Sequence, residues 1–203
     1  MNTSLVELLC QRVSSPRLTE PAPNKQELDL VFKSALRTPD HMMLRPWRYL
    51  IIEGEARHKL GELFLSSAKL SSALSSKNTA AQSTENHVEE MTEFKEEKLK
   101  SMPMRAPMLI VAIASLIDHP KVPHEEQILS CGVGVGYMLL ALQTLGYGGV
   151  WRTGDMALNK FVCEGLGLKE NESIVGFLYI GTPVGEPKPV PDINPQEYIS
   201  TWK

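Results

Sequence analysis

Residues 124–154, HEEQILSCGVGVGYMLLALQTLGYGGVWRTG, decide how the rest of the chain must be arranged. From Ile128 to Leu142 apolar residues leave almost no polar face, and such a helix belongs in a core or an interface. Glutamates at one end, and Gln143 with a glycine-rich turn at the other, leave it short of the ~20 apolar residues that span a bilayer. Gly132, Gly134 and Gly136 each cost about 1 kcal/mol relative to alanine inside a helix. Their compensation is close approach of another backbone, either the protein's own or that of a symmetry mate. Beyond the helix, Gly148, Gly149 and Gly154 make a bend around Trp151, Arg152 and Thr153. A flat aromatic, a fixed cation and a hydroxyl there suit a planar anionic ligand, or else they are a structural tryptophan and a surface arginine.

The 203-residue chain, 42% hydrophobic, has the material for one domain with a sizeable core, spanning 1–203. A net charge of −3 with mixed signs along the chain gives no basic footprint for nucleic acid. The start, MNTSLVELLCQRV, reads as an amphipathic helix with an internal glutamate and lacks the pattern of a signal peptide. Cys10, Cys131 and Cys163 have no metal-ligand spacing and read as reduced, buried thiols of a cytoplasmic protein, with no metal site.

Outward from the central helix the pattern alternates. The first helix ends near Gln11, and Pro16 turns the chain so that Arg12, Ser14 and Arg17 lie on one turn. That is either a phosphate grip or a solvated helix end. Asn24 and Glu27 form a capping-box pattern ahead of a helix whose expected buried face is Leu28, Leu30, Val31, Ala35 and Leu36. RTPDHMMLRPWRYLIIEG then leads through a loop containing His41 into a strand at residues 49–52. Helical spacing returns over residues 55–73, followed by a serine-rich stretch at 71–84 and a charged helix at 85–100. About 66–104 is therefore expected to be a surface helical excursion, with a lid as its functional reading. Residues 108–114 read as a strand buried on both faces, 160–168 as a short helix, and 173–181 as another buried strand. The proline-rich end, about 184–203, reads as an arm whose alternating residues 197–202 suit one more strand.

Taken in order, Arg12-Val13-Ser14, then Thr38-Pro39-Asp40-His41 with Pro46-Trp47, then Arg105-Ala106-Pro107, then GGVWRTG, then IVGFLYIGTP at residues 174–183, this chain resembles the nitroreductase family of FMN-dependent NAD(P)H oxidoreductases, particularly its small bacterial members. Two departures stand out: Val13 where close members carry a second arginine, and Arg45 where a glutamine is usual before Pro-Trp. The resemblance implies an α+β fold, a three-layer α/β/α sandwich with a mostly antiparallel central sheet, as an intertwined homodimer whose C-terminal arm reaches the partner subunit. It implies FMN between the subunits, with NAD(P)H as electron donor and a nitroaromatic, quinone or similar small molecule as acceptor in a ping-pong reaction. By the same carry-over, Arg12, Val13 and Ser14 hold the phosphate and ribityl chain, Trp151, Arg152 and Thr153 border the ring, and Arg37 and His41 come from the other subunit. FMN brings the redox chemistry, so no catalytic side chain is assigned. That agrees with a sequence lacking a Ser-His-Asp order with a nucleophile elbow, HExxH, a Walker loop, or a dinucleotide loop between a strand and a helix. The alternative is a protein that stores, delivers or senses FMN with little turnover.

Overall fold

Met108–Ser115 is apolar at every position up to Ala114, and it becomes the strand on which both layers of helices rest. In the computed structural model, which describes residues 5–79 and 92–203, the order of elements is α1 (Leu5–Cys10), β1 (Leu18–Thr19), α2 (Lys25–Ala35), β2 (Trp47–Glu53), α3 (Glu55–Thr79), α4 (Glu93–Ser101), β3 (Met108–Ser115), α5 (His124–Thr144), β4 (Gly148–Arg152), α6 (Asp155–Leu158), α7 (Lys160–Gly165) and β5 (Glu172–Pro183). β3 lies between β2 and β5, and the long β5 also pairs with β4 and, at its end, with β1. Every pairing is antiparallel.

The two-residue period of a strand sorts β3 between two cores. Met108, Ile110, Ala112 and Ala114 face α2 and α5, together with Val31, Val135 and Met138. Leu109, Val111 and Ile113 face the opposite side, with Leu60 and Phe64 of α3, Val162 of α7, and Phe177 and Tyr179 of β5. The architecture is thus α/β/α with an antiparallel sheet in the middle.

α2 starts as its sequence implies. The Asn24 side chain accepts from the Gln26 and Glu27 amides, and the Glu27 carboxylate accepts from the Asn24 amide at 2.8 Å. Its buried stripe is narrower than the pattern promised: Leu28, Val31 and Ala35 are inside, while Leu30 and Leu36 are half exposed. Leu30 lies two residues, about 200° of helix, from Leu28, so it falls on the outer face.

α5 meets the core part of its expectation on one side only. Cys131, Val135, Met138 and Leu142 are fully buried against the sheet, whereas Leu129 is 67% exposed and Ile128, Val133 and Tyr137 lie on the same open side. It has the length and hydropathy of a membrane-crossing helix, but one side of it is core. The glycines divide in the same way. A Cβ on Gly134 would stand 3.1 Å from the Tyr49 hydroxyl and 3.3 Å from Thr38 Oγ1, whereas one on Gly136 would meet nothing within 4 Å.

Three further elements differ from the pattern reading. The glycine bend contains a true strand, β4, because β5 is long enough to offer it an edge. The C-terminal segment forms a 3-10 turn, Pro195–Glu197, with no strand after it, since nothing among the described residues pairs with it; its residues are exposed. α3 runs on to Thr79, and the charged helix starts at Glu93 with Thr92 as N-cap. The part of the serine-rich stretch beyond residue 79, and the expected helix start at Glu85, lie outside the described residues. α4 packs back on α3 where Gly61 leaves room for the Lys100 carbonyl, with a Lys69–Glu96 ion pair at 2.8 Å alongside.

At one end of the sheet Glu172 is buried and accepts two bonds from Arg48, 2.6 and 2.9 Å, plus the Lys169 amide at 3.0 Å and the Ser115 hydroxyl. Against the opposing effect of burial, Arg48 foremost holds its carboxyl down from 4.5 to about 2. A carboxyl depressed in the folded state stabilises fully above its unfolded value and loses that contribution as pH falls through the folded one. Glu172→Gln is therefore expected to lower stability at neutral pH and to flatten the loss of stability between pH 4.5 and about 2, read by urea denaturation across that range.

Candidate functional site

The turn after α1 is tied to the start of β4 by a single backbone bond, the Ser15 amide donating to the Gly149 carbonyl at 3.0 Å. It packs so closely that a Cβ on Gly148 would lie 2.8 Å from the Ser15 side chain and 2.7 Å from Pro183. Beside this contact a groove of about 580 Å³ opens between residues 11–17, the turn and strand at 146–149, and residues 183–190. Arg12, Val13 and Ser14 all line it, with Arg17, Lys188 and Glu186 as its other charged groups. Three cations against one carboxylate give the groove a positive character suited to an anion.

Trp151 and Arg152 follow on the same strand, beginning about 10 Å beyond Gly148 at 3.3 Å per residue, and Thr153 comes directly after its end. Their setting depends on an irregularity in β5. The register with β3 shifts between Ala112 and Ile113, leaving Val175 as an extra residue, a bulge. The carbonyl of Val175 accepts from the Trp151 indole at 3.2 Å, and Gly176 leaves space for the ring that a Cβ would occupy. Trp151 remains 39% exposed and reaches Gly132 of α5. The Arg152 guanidinium lies 5.5 Å from the centre of the Tyr179 ring, and its buried Nε has no hydrogen-bond partner among the described residues. Burial pushes the Tyr179 hydroxyl up, with Arg152 and Arg105 opposing it. Thr153 is exposed.

Arg37 and His41 do not join this groove. Arg37 is exposed just beyond α2, and His41 opens the 3-10 turn His41–Met43. That turn is strained: Met42, Met43 and Arg45 have φ of +60°, +54° and +52° without being glycine. Left-handed geometry costs an L-residue about 1–2 kcal/mol, so neighbouring contacts must fix it. The Asp40 carboxylate accepts from the Arg45 amide at 2.7 Å, the Ser130 hydroxyl of α5 donates to the Pro39 carbonyl at 2.9 Å, and His41 Nδ1 meets Glu126 Oε2 of α5 at 2.8 Å. Of the three cysteines expected to be buried, Cys131 is, whereas Cys10 is exposed and Cys163 only partly covered. Burial pushes the Cys131 thiol up to about 12, so it stays neutral and is no nucleophile at physiological pH.

The model of the Nitroreductase family matches residues 11–182, which takes in the groove-lining turn, the strained loop, β4 and nearly all of β5. The chain belongs to the nitroreductase family. Among relatives, YdjA of Escherichia coli K12, whose name places it with the NAD(P)H nitroreductases, is 35% identical over 196 residues, covering 93% of this chain and 97% of its own. The solved structure of a nitroreductase-like family protein from Bacillus cereus superposes with a TM-score of 0.78 at 23% identity, covering 100% of this chain and 97% of that one. The FMN and NADPH-dependent nitroreductase NfnB from Sphigopyxis sp. strain HMH gives 0.70 at 18% identity, with 98% and 99% covered. The family fold, an antiparallel sheet between helical layers, is thus the fold of this chain, and the family's chemistry is oxidoreduction.

Within this nitroreductase-family chain, pattern reading overlooked Lys188, Glu126 and the Val175 bulge. The Gly185-Glu186-Pro187-Lys188 turn directly after a strand could have flagged the first, since Gly185 takes a φ of +81°. Glu126 and His41 are 85 positions apart, and nothing in a linear pattern pairs them. The seat of Trp151 is testable: Gly176→Ala forces the indole off the Val175 carbonyl and, as overpacking, should destabilise by about 1–3 kcal/mol. A changed near-UV circular dichroism spectrum together with a lowered denaturation midpoint is the expected result.

Proposed function

We propose that this chain is an FMN-dependent oxidoreductase that accepts hydride from NAD(P)H and delivers electrons to a nitroaromatic, quinone or similar electron-poor small molecule in ping-pong order, as a cytoplasmic homodimer with FMN between its subunits. The observation that carries the reading is the continuity of β4. Its glycine end borders a cationic groove, and its other end presents a half-exposed indole beside an arginine whose buried Nε has no partner among the described residues. Those features fit a long ligand with an anionic head and a flat ring.

FMN, when bound, supplies the two-electron redox chemistry. The chain's residues bind and orient it. Arg12 and the Ser14 hydroxyl would take the phosphate and ribityl chain, with Val13 adding backbone and no charge. Arg17 and Lys188 share the groove where close family members have a second arginine. Trp151, Arg152 and Thr153 would border the ring, and Arg152, already backed by Tyr179, would direct a fixed positive charge at it. Arg37 and His41, remote from the groove of their own chain, would serve the site of the partner subunit. The 1–203 chain acts as one FMN-binding domain, the 66–104 excursion as a surface cover, and the 184–203 arm as a strap onto the partner. Support for the dimer is the open apolar side of α5, with Leu129 67% exposed and open space at Gly136, and an arm on which Trp202 is fully exposed.

The purified protein is expected to be yellow with about one FMN per chain, and NADH or NADPH should bleach it anaerobically. Arg12→Ala removes a charge-assisted contact of about 1.5–3 kcal/mol and should weaken FMN about ten- to a hundredfold in a fluorescence titration. Wild-type affinity in that variant would show the phosphate site to be elsewhere.

A further inference from the structure

The loop that carries His41 follows one flank of α5, beside its buried stripe, turn by turn. Glu126, Ser130 and Gly134 are spaced four apart and so share one face of the helix. Gly134 lies against Thr38, Ser130 donates to the Pro39 carbonyl, and Glu126 meets His41. Successive turns of α5 therefore engage successive parts of the loop, running in the opposite direction. A side chain at 134 would push Thr38 away, and Thr38 is itself buried. This template holds the left-handed backbone at Met42, Met43 and Arg45, which the loop would not adopt unaided.

At the end of the stripe the contact is specific in its protons. A carboxylate only accepts, so the 2.8 Å contact puts a hydrogen on His41 Nδ1. In the neutral ring Nε2 is then the acceptor, and it has no hydrogen-bond partner among the described residues. The imidazole is half exposed, which leaves that nitrogen open to a ligand.

We infer that Glu126 is a positioning residue for His41: its carboxylate selects the Nδ1–H tautomer and fixes the ring so that Nε2 is offered to the flavin bound by the partner subunit. The inference rests on the flavin reading of His41 given above. Glu126 touches neither cofactor nor substrate and acts through the histidine alone.

Two measurements on the full chain separate the possibilities. Long-range proton–nitrogen NMR of histidine-labelled protein is expected to show His41 with its hydrogen on Nδ1 in the wild type and largely on Nε2 in Glu126→Ala, with Glu126→Gln intermediate. Titration with FMN is expected to show about three- to tenfold weaker binding in Glu126→Ala, partial rescue in Glu126→Gln, and little further loss when Glu126→Ala is added to His41→Ala. An unchanged tautomer in Glu126→Ala, or fully additive losses in the double variant, overturns the positioning role. Unaltered FMN affinity in His41→Ala, with the tautomer shift intact, overturns the flavin reading of His41 instead. Both side chains are exposed, so none of these variants removes core packing.

Discussion

One helix has to satisfy two surfaces, and the rest of the structure follows from how it divides them. The inner side of α5 covers the sheet with Cys131, Val135, Met138 and Leu142, all fully buried. Its outer side keeps Ile128, Leu129, Val133 and Tyr137 in water. Burying apolar surface is worth roughly 25 cal/mol per Å², so a contiguous apolar face left open is a standing drive toward association. Gly134 belongs to the inner side and admits the Thr38 loop, while Gly136 belongs to the outer side and leaves it smooth. The central helix thereby shapes the loop that carries His41 and also leaves an apolar face open.

The sheet supplies the other half of the site. β5 serves three partners in succession, and its length gives β4 an edge to pair with. The bulge at Val175 exposes one carbonyl, Trp151 takes it, and the space over Gly176 admits the ring. Arg152 then rests on Tyr179 from the same strand pair. The setting of Trp151 thus arises from one extra residue in a strand.

Much of this was legible in the chain because local chemistry was decisive. A run apolar at both strand parities could only be a strand covered on both sides, and β3 is that. Asn24 and Glu27 announced their cap because both halves of it lie within one turn. The ordered motifs located the groove-lining turn and the stretch that holds Trp151 and Arg152 without a structure. What was illegible depended on distant partners. β4 looked like a bend because its two glycines carry no β propensity, and only the edge of β5 makes it a strand. Residues 197–202 alternate like a strand and find no edge among the described residues. Periodicity could not say that one side of α5 stays open, since an outer apolar face and an inner one read alike. The pairing of Glu126 with His41 joins residues 85 positions apart.

The central claim is that the outer side of α5 belongs to a second copy of this chain and that the flavin site is complete only there. Sedimentation velocity, recorded at a flavin wavelength and a protein wavelength on the wild type and on Gly136→Leu, tests both parts together. The substituted side chain has open space in the single chain, so the fold should survive it. The account predicts a wild-type dimer boundary that carries the flavin, and a folded Gly136→Leu monomer boundary without it. A wild-type monomer that sediments with bound FMN would contradict it.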